Sequence, residues 1–293
     1  MEEHRQKISA WVELSLLLTV FFFGTNFVAV KLVVEVVPPF LFAAVRFTFA
    51  GLLLFLLLRL TEPESRLKRS DFLPVFGLGV IGITFTQSVF TVGVSLTTAA
   101  NTALIYSTAP VWGMLLGFFL ALERPRLSGV AGVVLCLIGV GTVVYGGLEL
   151  SGTSLLGDIL ILAAAICWGS YTMLSIGLLR RYSPLAVAAY PMVLGGLAAF
   201  PLALLDLRVD VASMSGTVWF AALYSTLCSS AFGFAAWQQG VSRVGANRVL
   251  VYQYLVAITG VTAGVILLGE SFGPQQILGA AVVLAGVYLA RRK

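Results

Sequence analysis

The chain has 293 residues, of which 59% are apolar and only 11% charged, and its mean hydropathy is +1.00. Soluble domains carry about 25% charged residues, so this composition excludes a water-soluble fold and predicts an all-α integral membrane protein. The net charge of +5 does not indicate a nucleic-acid partner, because the basic residues flank apolar segments.

Ten apolar segments follow in chain order, each about 20 residues long and bounded by polar residues, and they predict ten transmembrane helices. The segments are 11–34, 39–58, 72–92, 99–121, 128–147, 157–178, 184–205, 217–238, 248–268 and 275–290. The first follows Arg5 and Lys7, as in a signal peptide, but it is too long for one and has no clear cleavage site. We therefore expect it to be retained.

The positive charges predict the orientation. With the N-terminus in the cytoplasm, fifteen of the eighteen lysines and arginines fall on the cytoplasmic side. Only Arg208 falls outside, and Lys31 and Arg46 lie within predicted spans. By the positive-inside rule, we expect a multi-pass protein of the cell (inner) membrane with both termini in the cytoplasm.

The two halves of the sequence resemble each other at an offset of about 145 residues, which predicts an internal repeat. Glu13 aligns with Asp158 and Pro39 with Pro184. Further matches pair Phe23-Gly24-Thr25 with Trp168-Gly169-Ser170, Ala100-Asn101 with Ala246-Asn247, Glu123 with Glu270, Gly132 with Gly279, and Gly139 with Gly286. Each half, 1–150 and 151–293, carries five spans. Since five is odd, the second half is inverted relative to the first, as in many secondary transporters.

These features resemble the drug/metabolite transporter superfamily, and its EamA-type ten-helix transporters in particular. The resemblance covers the whole chain and is carried by Trp168-Gly169-Ser170 and by Leu268-Gly269-Glu270 with the later Gly279 and Gly286. The first half departs from the pattern, with Phe23 where a Trp is usual and Ala121-Leu122 before Glu123. The resemblance implies an exporter of amino acids, other metabolites or amphipathic toxins.

Enzymatic chemistry lacks the residues that it needs. The only histidine is His4, in the N-terminal tail, the acids are dispersed, and no phosphate-binding loop for ATP is present. The three cysteines lie within apolar segments and have no metal-ligand spacing. We therefore expect no enzyme activity, ATP hydrolysis, cofactor or metal. The expected partners are a small-molecule substrate and the lipid bilayer. The sequence leaves the oligomeric state open and is compatible with a monomer.

Polar and aromatic side chains within the spans are the candidates for substrate binding, because lipid offers them no partners. Gln87 lies on a polar helix face with Thr84, Ser88 and Thr91, whose hydroxyl groups also suit hydrogen bonds between helices. The full set of candidates is Asn26, Lys31, Arg46, Gln87, Tyr106, Trp168, Tyr171 and Tyr252.

Lys31 and Arg46 lie at similar depths in the first helical hairpin and together suit a carboxylate or phosphate. The alternatives are that Lys31 extends to the membrane interface and that Arg46 pairs with an acid such as Glu270. Pro110 and Pro191 interrupt backbone hydrogen bonding within their spans and are candidate hinge or gating residues.

The candidate residues for ion coupling are Glu13, Asp158 and Glu270, all close to span ends, so a uniporter fits equally well. The glycines of the fifth and tenth spans predict close helix packing.

The sequence thus predicts a secondary transporter or uniporter that exports small metabolites, amino acids or similar zwitterions, by alternating access. The alternatives are a multidrug or nucleotide-sugar carrier of the same fold, and, in another class, a non-transporting membrane enzyme or scaffold.

Overall fold

The computed structural model describes residues 10–120, 127–151, 155–205, 207–209, 211, 214–271 and 273–291. Within these ranges every regular element is helical. The helices form ten segments: α1 (Ala10–Val34), α2 (Pro39–Thr61), α3 (Arg69–Leu96), α4 (Ala99–Phe119), α5 (Leu127–Ser151), α6 (Leu155–Leu179), α7 (Pro184–Ala203), α8 (Gly216–Val244), α9 (Ala246–Leu268) and α10 (Pro274–Arg291).

Eight of the described helical segments are long and apolar enough to cross a membrane. In α5 and α10 the apolar stretches are shorter, 134–143 and 274–286. Large apolar side chains such as Phe220 (70% exposed) and Ile266 (72% exposed) lie on the outer surface, as expected for contact with lipid. The described part of the chain therefore has the form of a multi-pass membrane protein.

The ends of the helical segments lie within a few residues of the predicted boundaries, and the largest difference is at the end of α8. This helix continues to Val244 instead of ending at residue 238. Its last turns carry polar residues such as Ser242 and Arg243, which are exposed and extend the helix beyond the apolar stretch that the sequence reveals.

Helices from the two halves of the chain pack closely against each other. Extensive contacts of this kind join α5 with α10, α2 with α7, α3 with α6, and α1 with α8. A Cβ added to Gly51 would lie 2.7 Å from the backbone nitrogen of Val193, and one added to Gly196 would lie 2.7 Å from that of Thr48. Glycine thus permits the backbones of α2 and α7 to approach.

The helices α5 and α10 form the most extensive helix pair in the molecule. A Cβ added to Gly139 would lie 2.6 Å from the Val283 nitrogen, and one added to Gly286 would lie 2.8 Å from the Gly132 carbonyl oxygen. The predicted role in close helix packing is confirmed for Gly139 and Gly286, but not for Gly141, where an added Cβ would meet no atom within 4 Å.

Two helices contain a wide, π-helical segment. These segments are Val80–Phe85 in α3 and Ser225–Gly233 in α8, and the second begins 145 residues after the first. They occupy equivalent positions in the two halves, in the third helix of each. Such segments are frequent at functional sites.

Of the two candidate hinge prolines, Pro110 lies beside a break in its helix and Pro191 does not. In α4 the break falls at Ser107 and Thr108, and Pro110 lies in the first turn of the following helix, Ala109–Phe119. A proline there costs no hydrogen bond, because the first backbone N–H groups of a helix have no intrahelical acceptor. The helix Pro184–Ala198 continues across Pro191.

Candidate substrate-binding cavity

A cavity of about 40 Å³ lies among seven of the helices and is lined by residues from both halves of the chain. At roughly 10–15 Å³ for each water molecule, it has room for about three of them. Its walls are formed by Phe23, Asn26, Phe27, Arg46, Gln87, Phe90, Tyr106, Trp168, Ser229, Phe234, Gln253 and Val256. A few polar groups among apolar walls are typical of a small-molecule site.

Arg46 is the only charged residue among those that line the cavity, and its side chain is 2% exposed. Its Nε donates a hydrogen bond to the Ser230 hydroxyl at 2.7 Å, and its Nη2 donates one to the Ser229 hydroxyl at 3.3 Å. The guanidinium also lies over the ring of Phe47, with 4.7 Å from Cζ to the ring centroid. These contacts fix the guanidinium without neutralising its charge.

The serines that hold Arg46 belong to the wide segment of α8 and extend its network to α1. The Ser230 hydroxyl also donates to the Ser225 carbonyl oxygen at 3.1 Å, and the Ser225 hydroxyl donates to Asn26 Oδ1 at 2.5 Å. One wall of the cavity is therefore a hydrogen-bonded unit of α1, α2 and α8.

Three buried polar atoms of the lining residues have no hydrogen-bond partner in the described part of the chain: Arg46 Nη1, Trp168 Nε1 and Gln253 Oε1. Buried polar groups are costly when they are left unpaired. The first two atoms are donors and the third is an acceptor. They therefore match a ligand that carries an anionic acceptor and a separate donor, as an amino acid does.

Aromatic rings supply most of the apolar wall. Trp168 stacks on Tyr171, with 5.4 Å between ring centroids, and meets Phe234 edge-on at 5.0 Å. Phe27, Phe90 and Tyr106 form a second cluster of rings, with Phe90 and Tyr106 5.5 Å apart. These rings offer an apolar or aromatic solute a large contact area.

Five of the eight predicted substrate-binding residues line this cavity: Asn26, Arg46, Gln87, Tyr106 and Trp168. Tyr171 lies behind Trp168 in the stacked pair. Lys31 and Tyr252 are not among the lining residues. The expectation that Lys31 and Arg46 act as a pair at one site does not match this arrangement.

Lys31 instead binds the turn between α3 and α4, residues 94–101, which we call the 94–101 turn. Its Nζ donates to the carbonyl oxygens of Val94 at 3.0 Å and Thr97 at 2.5 Å. The carbonyls at the end of a helix attract a cation because they have no intrahelical donor. Lys31 is therefore held at the end of α3 and is not among the residues that line the cavity.

The coupling candidates are divided between the two ends of the molecule. Glu270 accepts hydrogen bonds from the backbone N–H groups of Ala99 (2.6 Å) and Ala100 (2.8 Å), so the alternative that it pairs with Arg46 is wrong. Asp158 is buried and accepts a hydrogen bond from the Thr97 hydroxyl at 2.6 Å. Both acids thus hold the 94–101 turn, whereas Glu13 is exposed in the first turn of α1.

Several lining residues were missed by the sequence analysis. Ser229 and Gln253 are polar residues inside apolar spans, and this pattern could have identified them. The phenylalanines at 23, 27, 90 and 234 gave no signal, because twenty phenylalanines are spread over the chain and most of them suit lipid or core packing. Among the described residues, no group of three His, Cys, Asp or Glu side chains is close enough to hold a metal ion.

Comparison with known proteins agrees with a transport protein. A sequence model described as the EamA-like transporter family matches residues 10–145 and again residues 155–292. An uncharacterized transporter of Archaeoglobus fulgidus is 27% identical over 97% of this chain and 99% of that protein. A probable amino-acid metabolite efflux pump of Salmonella typhimurium is 26% identical, with 93% and 92% covered.

Two further matches extend the comparison. A probable terminal-alkyne amino-acid exporter of Streptantibioticus cattleyicolor is 30% identical over 78% of this chain and 76% of that protein. A solved crystal structure aligns with a TM-score of 0.70 over 97% of both chains at 20% identity, and this likeness concerns the fold alone.

The helical segments, the cavity between the two halves and the double family match define a multi-pass membrane transport protein. The chain belongs to the EamA-like transporter family, which agrees with the resemblance to the drug/metabolite transporter superfamily.

Proposed function

We propose that this protein exports small amphipathic metabolites, amino acids in the first place, and binds them in the cavity around Arg46. The observation that carries this proposal is the guanidinium of Arg46, which is 2% exposed, held by two serines, and has Nη1 without a partner among the described residues. A substrate carboxylate supplies the missing acceptor and the missing negative charge.

The rest of the substrate fits the remaining groups. Gln253 Oε1 accepts a hydrogen bond from the substrate ammonium group, and Trp168 Nε1 adds a donor for the carboxylate. The aromatic walls receive the apolar side chain. A nucleotide sugar is a poorer ligand, since its diphosphate requires several cations and the described lining residues include one.

The transport mechanism that we propose is alternating access, by uniport or secondary transport, without ATP hydrolysis and without enzyme activity. The moving units are the inverted halves 1–150 and 151–293, each with five spans, in a ten-span protein with both termini in the cytoplasm. In support, the cavity lies between helices of both halves and the family match occurs twice.

Solute counterflow in sealed proteoliposomes tests this function. Vesicles loaded with an unlabelled amino acid should accumulate the labelled one transiently. Arg46→Gln removes the charge and should reduce the exchange about tenfold or more, since a hydrogen bond to a charged group contributes roughly 1.5–3 kcal/mol. Arg46→Lys keeps the charge but loses the planar guanidinium group, so its exchange rate should lie between those of the wild type and Arg46→Gln.

Gel filtration of each purified variant is the control for folding and insertion. Exchange by Arg46→Gln at the wild-type rate would remove Arg46 from the site. If the wild-type protein exchanged no amino acid or related metabolite, the proposed function would be wrong.

A further inference from the structure

We propose that Gly233 determines substrate size, because it holds the ring of Phe23 in the wall of the cavity and out of the space that the substrate occupies. This inference rests on the proposed function and extends it from the charged end of the substrate to its apolar side chain. Neither residue belongs to the polar groups that bind the carboxylate.

The ring of Phe23 lies directly on the backbone of Gly233. A Cβ added to Gly233 would overlap Cε1 of the ring and would lie 3.1 Å from Cδ1 and 3.2 Å from Cζ. These three nearest atoms all belong to Phe23. Glycine is thus the one residue that leaves the ring where it is, since every other side chain begins with a Cβ.

Displacement of the ring has a defined direction. Phe23 is bounded by other rings, with centroid distances of 5.9 Å to Trp168, 6.0 Å to Phe234 and 5.9 Å to Trp237. Trp168 and Trp237 are among the largest fully buried side chains, so they have little room to shift. The free space beside Phe23 is the cavity that it lines, and a ring pushed from Gly233 therefore enters the cavity.

The local backbone makes this contact specific to the site. Gly233 is the last residue of the wide segment of α8, which also carries the two serines that hold Arg46. The same segment therefore positions the cation for the carboxylate and sets the depth of the apolar wall. The substrate class that follows is a carboxylate with an apolar side chain whose size is limited by the position of Phe23.

The test is counterflow by Gly233→Ala with a size series of alanine, leucine and phenylalanine. In an apolar pocket, a change of one methylene group alters discrimination by roughly ten- to two-hundredfold. We expect Gly233→Ala to lower phenylalanine exchange at least about tenfold relative to alanine exchange. The double variant Phe23→Leu with Gly233→Ala should restore phenylalanine exchange, because the smaller side chain leaves room for the new methyl group.

Gly177→Ala is the matched control, since no heavy atom lies within 4 Å of a Cβ added there and the glycine is exposed in α6. It should exchange all three amino acids like the wild type. An equal loss for all three in Gly233→Ala, an unchanged size series, or failure of Phe23→Leu to restore exchange would overturn the inference while leaving the proposed function standing. Absence of exchange by the wild type would overturn both.

Discussion

A charged residue in the centre of a membrane protein requires specific partners. Arginine at the centre of a membrane helix costs roughly 2.5–3.5 kcal/mol on insertion scales. Two serine hydroxyl groups and the face of the Phe47 ring offset this cost for Arg46. The described lining residues include no acid that would pair with it. Its positive charge therefore has no counter-ion among these residues, as the proposed carboxylate site requires.

The two hydrogen bonds of Arg46 give a residue-scale prediction. Ser230→Ala removes the acceptor of the shorter bond, 2.7 Å, and frees the guanidinium to rotate. Because hydrogen bonds to charged groups contribute roughly 1.5–3 kcal/mol, the apparent KM for an amino acid should rise about tenfold. The measurement is the concentration dependence of counterflow.

Ser229→Ala is the comparison for this variant. The bond from Arg46 to Ser229 is longer, 3.3 Å, so its loss should raise the apparent KM less. Equal effects of the two substitutions, or none, would show that the serines do not orient Arg46 for the substrate.

The sequence predicts the buried cations but not their different surroundings. Lys31 and Arg46 share the same hairpin and a similar distance from its turn, so composition and depth treat them alike. What separates them is tertiary contact: the end of α3 presents free carbonyl groups to Lys31, and the wide segment of α8 presents hydroxyl groups to Arg46. Partners more than sixty residues away cannot be read from local sequence.

At the scale of elements, the helix positions follow from the length of the apolar segments, because a span needs about 20 residues. The wide segments in α3 and α8 could not be predicted in this way. A short π-helical segment hardly changes the spacing of apolar residues along the sequence. The segments also depend on tertiary contacts, such as that between Gly82 and the ring of Tyr171.

The 94–101 turn illustrates how charged side chains replace missing backbone partners at helix ends. The Lys31 ammonium group donates to free carbonyl groups at the end of α3. The Glu270 carboxylate accepts from free N–H groups at the start of α4. Gln276 adds a hydrogen bond from Nε2 to Asn101 Oδ1 at 2.6 Å. The turn is thereby tied to α1 and α10 and to the loop before α10.

Glu270→Ala gives the prediction at this scale. The substitution leaves the N–H groups of Ala99 and Ala100 without their carboxylate, and should lower the free energy of unfolding by about 2 kcal/mol. Thermal denaturation of the purified protein in detergent measures the change. Glu13→Ala, at the equivalent of Asp158 but exposed, should change stability by no more than about 0.5 kcal/mol. A shift as large for Glu13→Ala would contradict this account.

At the scale of the whole molecule, polar contacts connect the two halves at both ends. At the end opposite the 94–101 turn, Asp71 binds Arg181 and accepts a hydrogen bond from the Tyr182 hydroxyl at 2.7 Å, while the Tyr190 hydroxyl donates to the Ser65 carbonyl oxygen at 2.7 Å. Burial, together with the hydrogen bond to the Asp71 carboxylate, raises the pKa of Tyr182, so its hydroxyl stays protonated and remains a donor to a higher pH than that of a free tyrosine. Alternating access requires such contacts to separate on one side at a time.

The proposed orientation can be tested with introduced cysteines. Val36→Cys and Arg66→Cys place exposed thiols in the loops after α1 and α2, in a protein whose native cysteines are replaced by serine. If both termini are cytoplasmic, a membrane-impermeant maleimide should label Val36→Cys in intact spheroplasts. It should label Arg66→Cys only after permeabilisation. The reverse pattern would invert the topology, and labelling of both from outside would show that α2 does not cross the membrane.

The wide segments at equivalent positions also bear on descent. Two matches to one family model within one chain indicate that the halves arose by duplication of a single gene segment. Val80–Phe85 and Ser225–Gly233 are simplest to explain as one feature inherited by both copies. The wide helical segment would then be older than the fusion of the two halves. Arg46 has no counterpart at the matching position of the second half, Pro191, so the two walls of the cavity differ in charge although they share the wide segment.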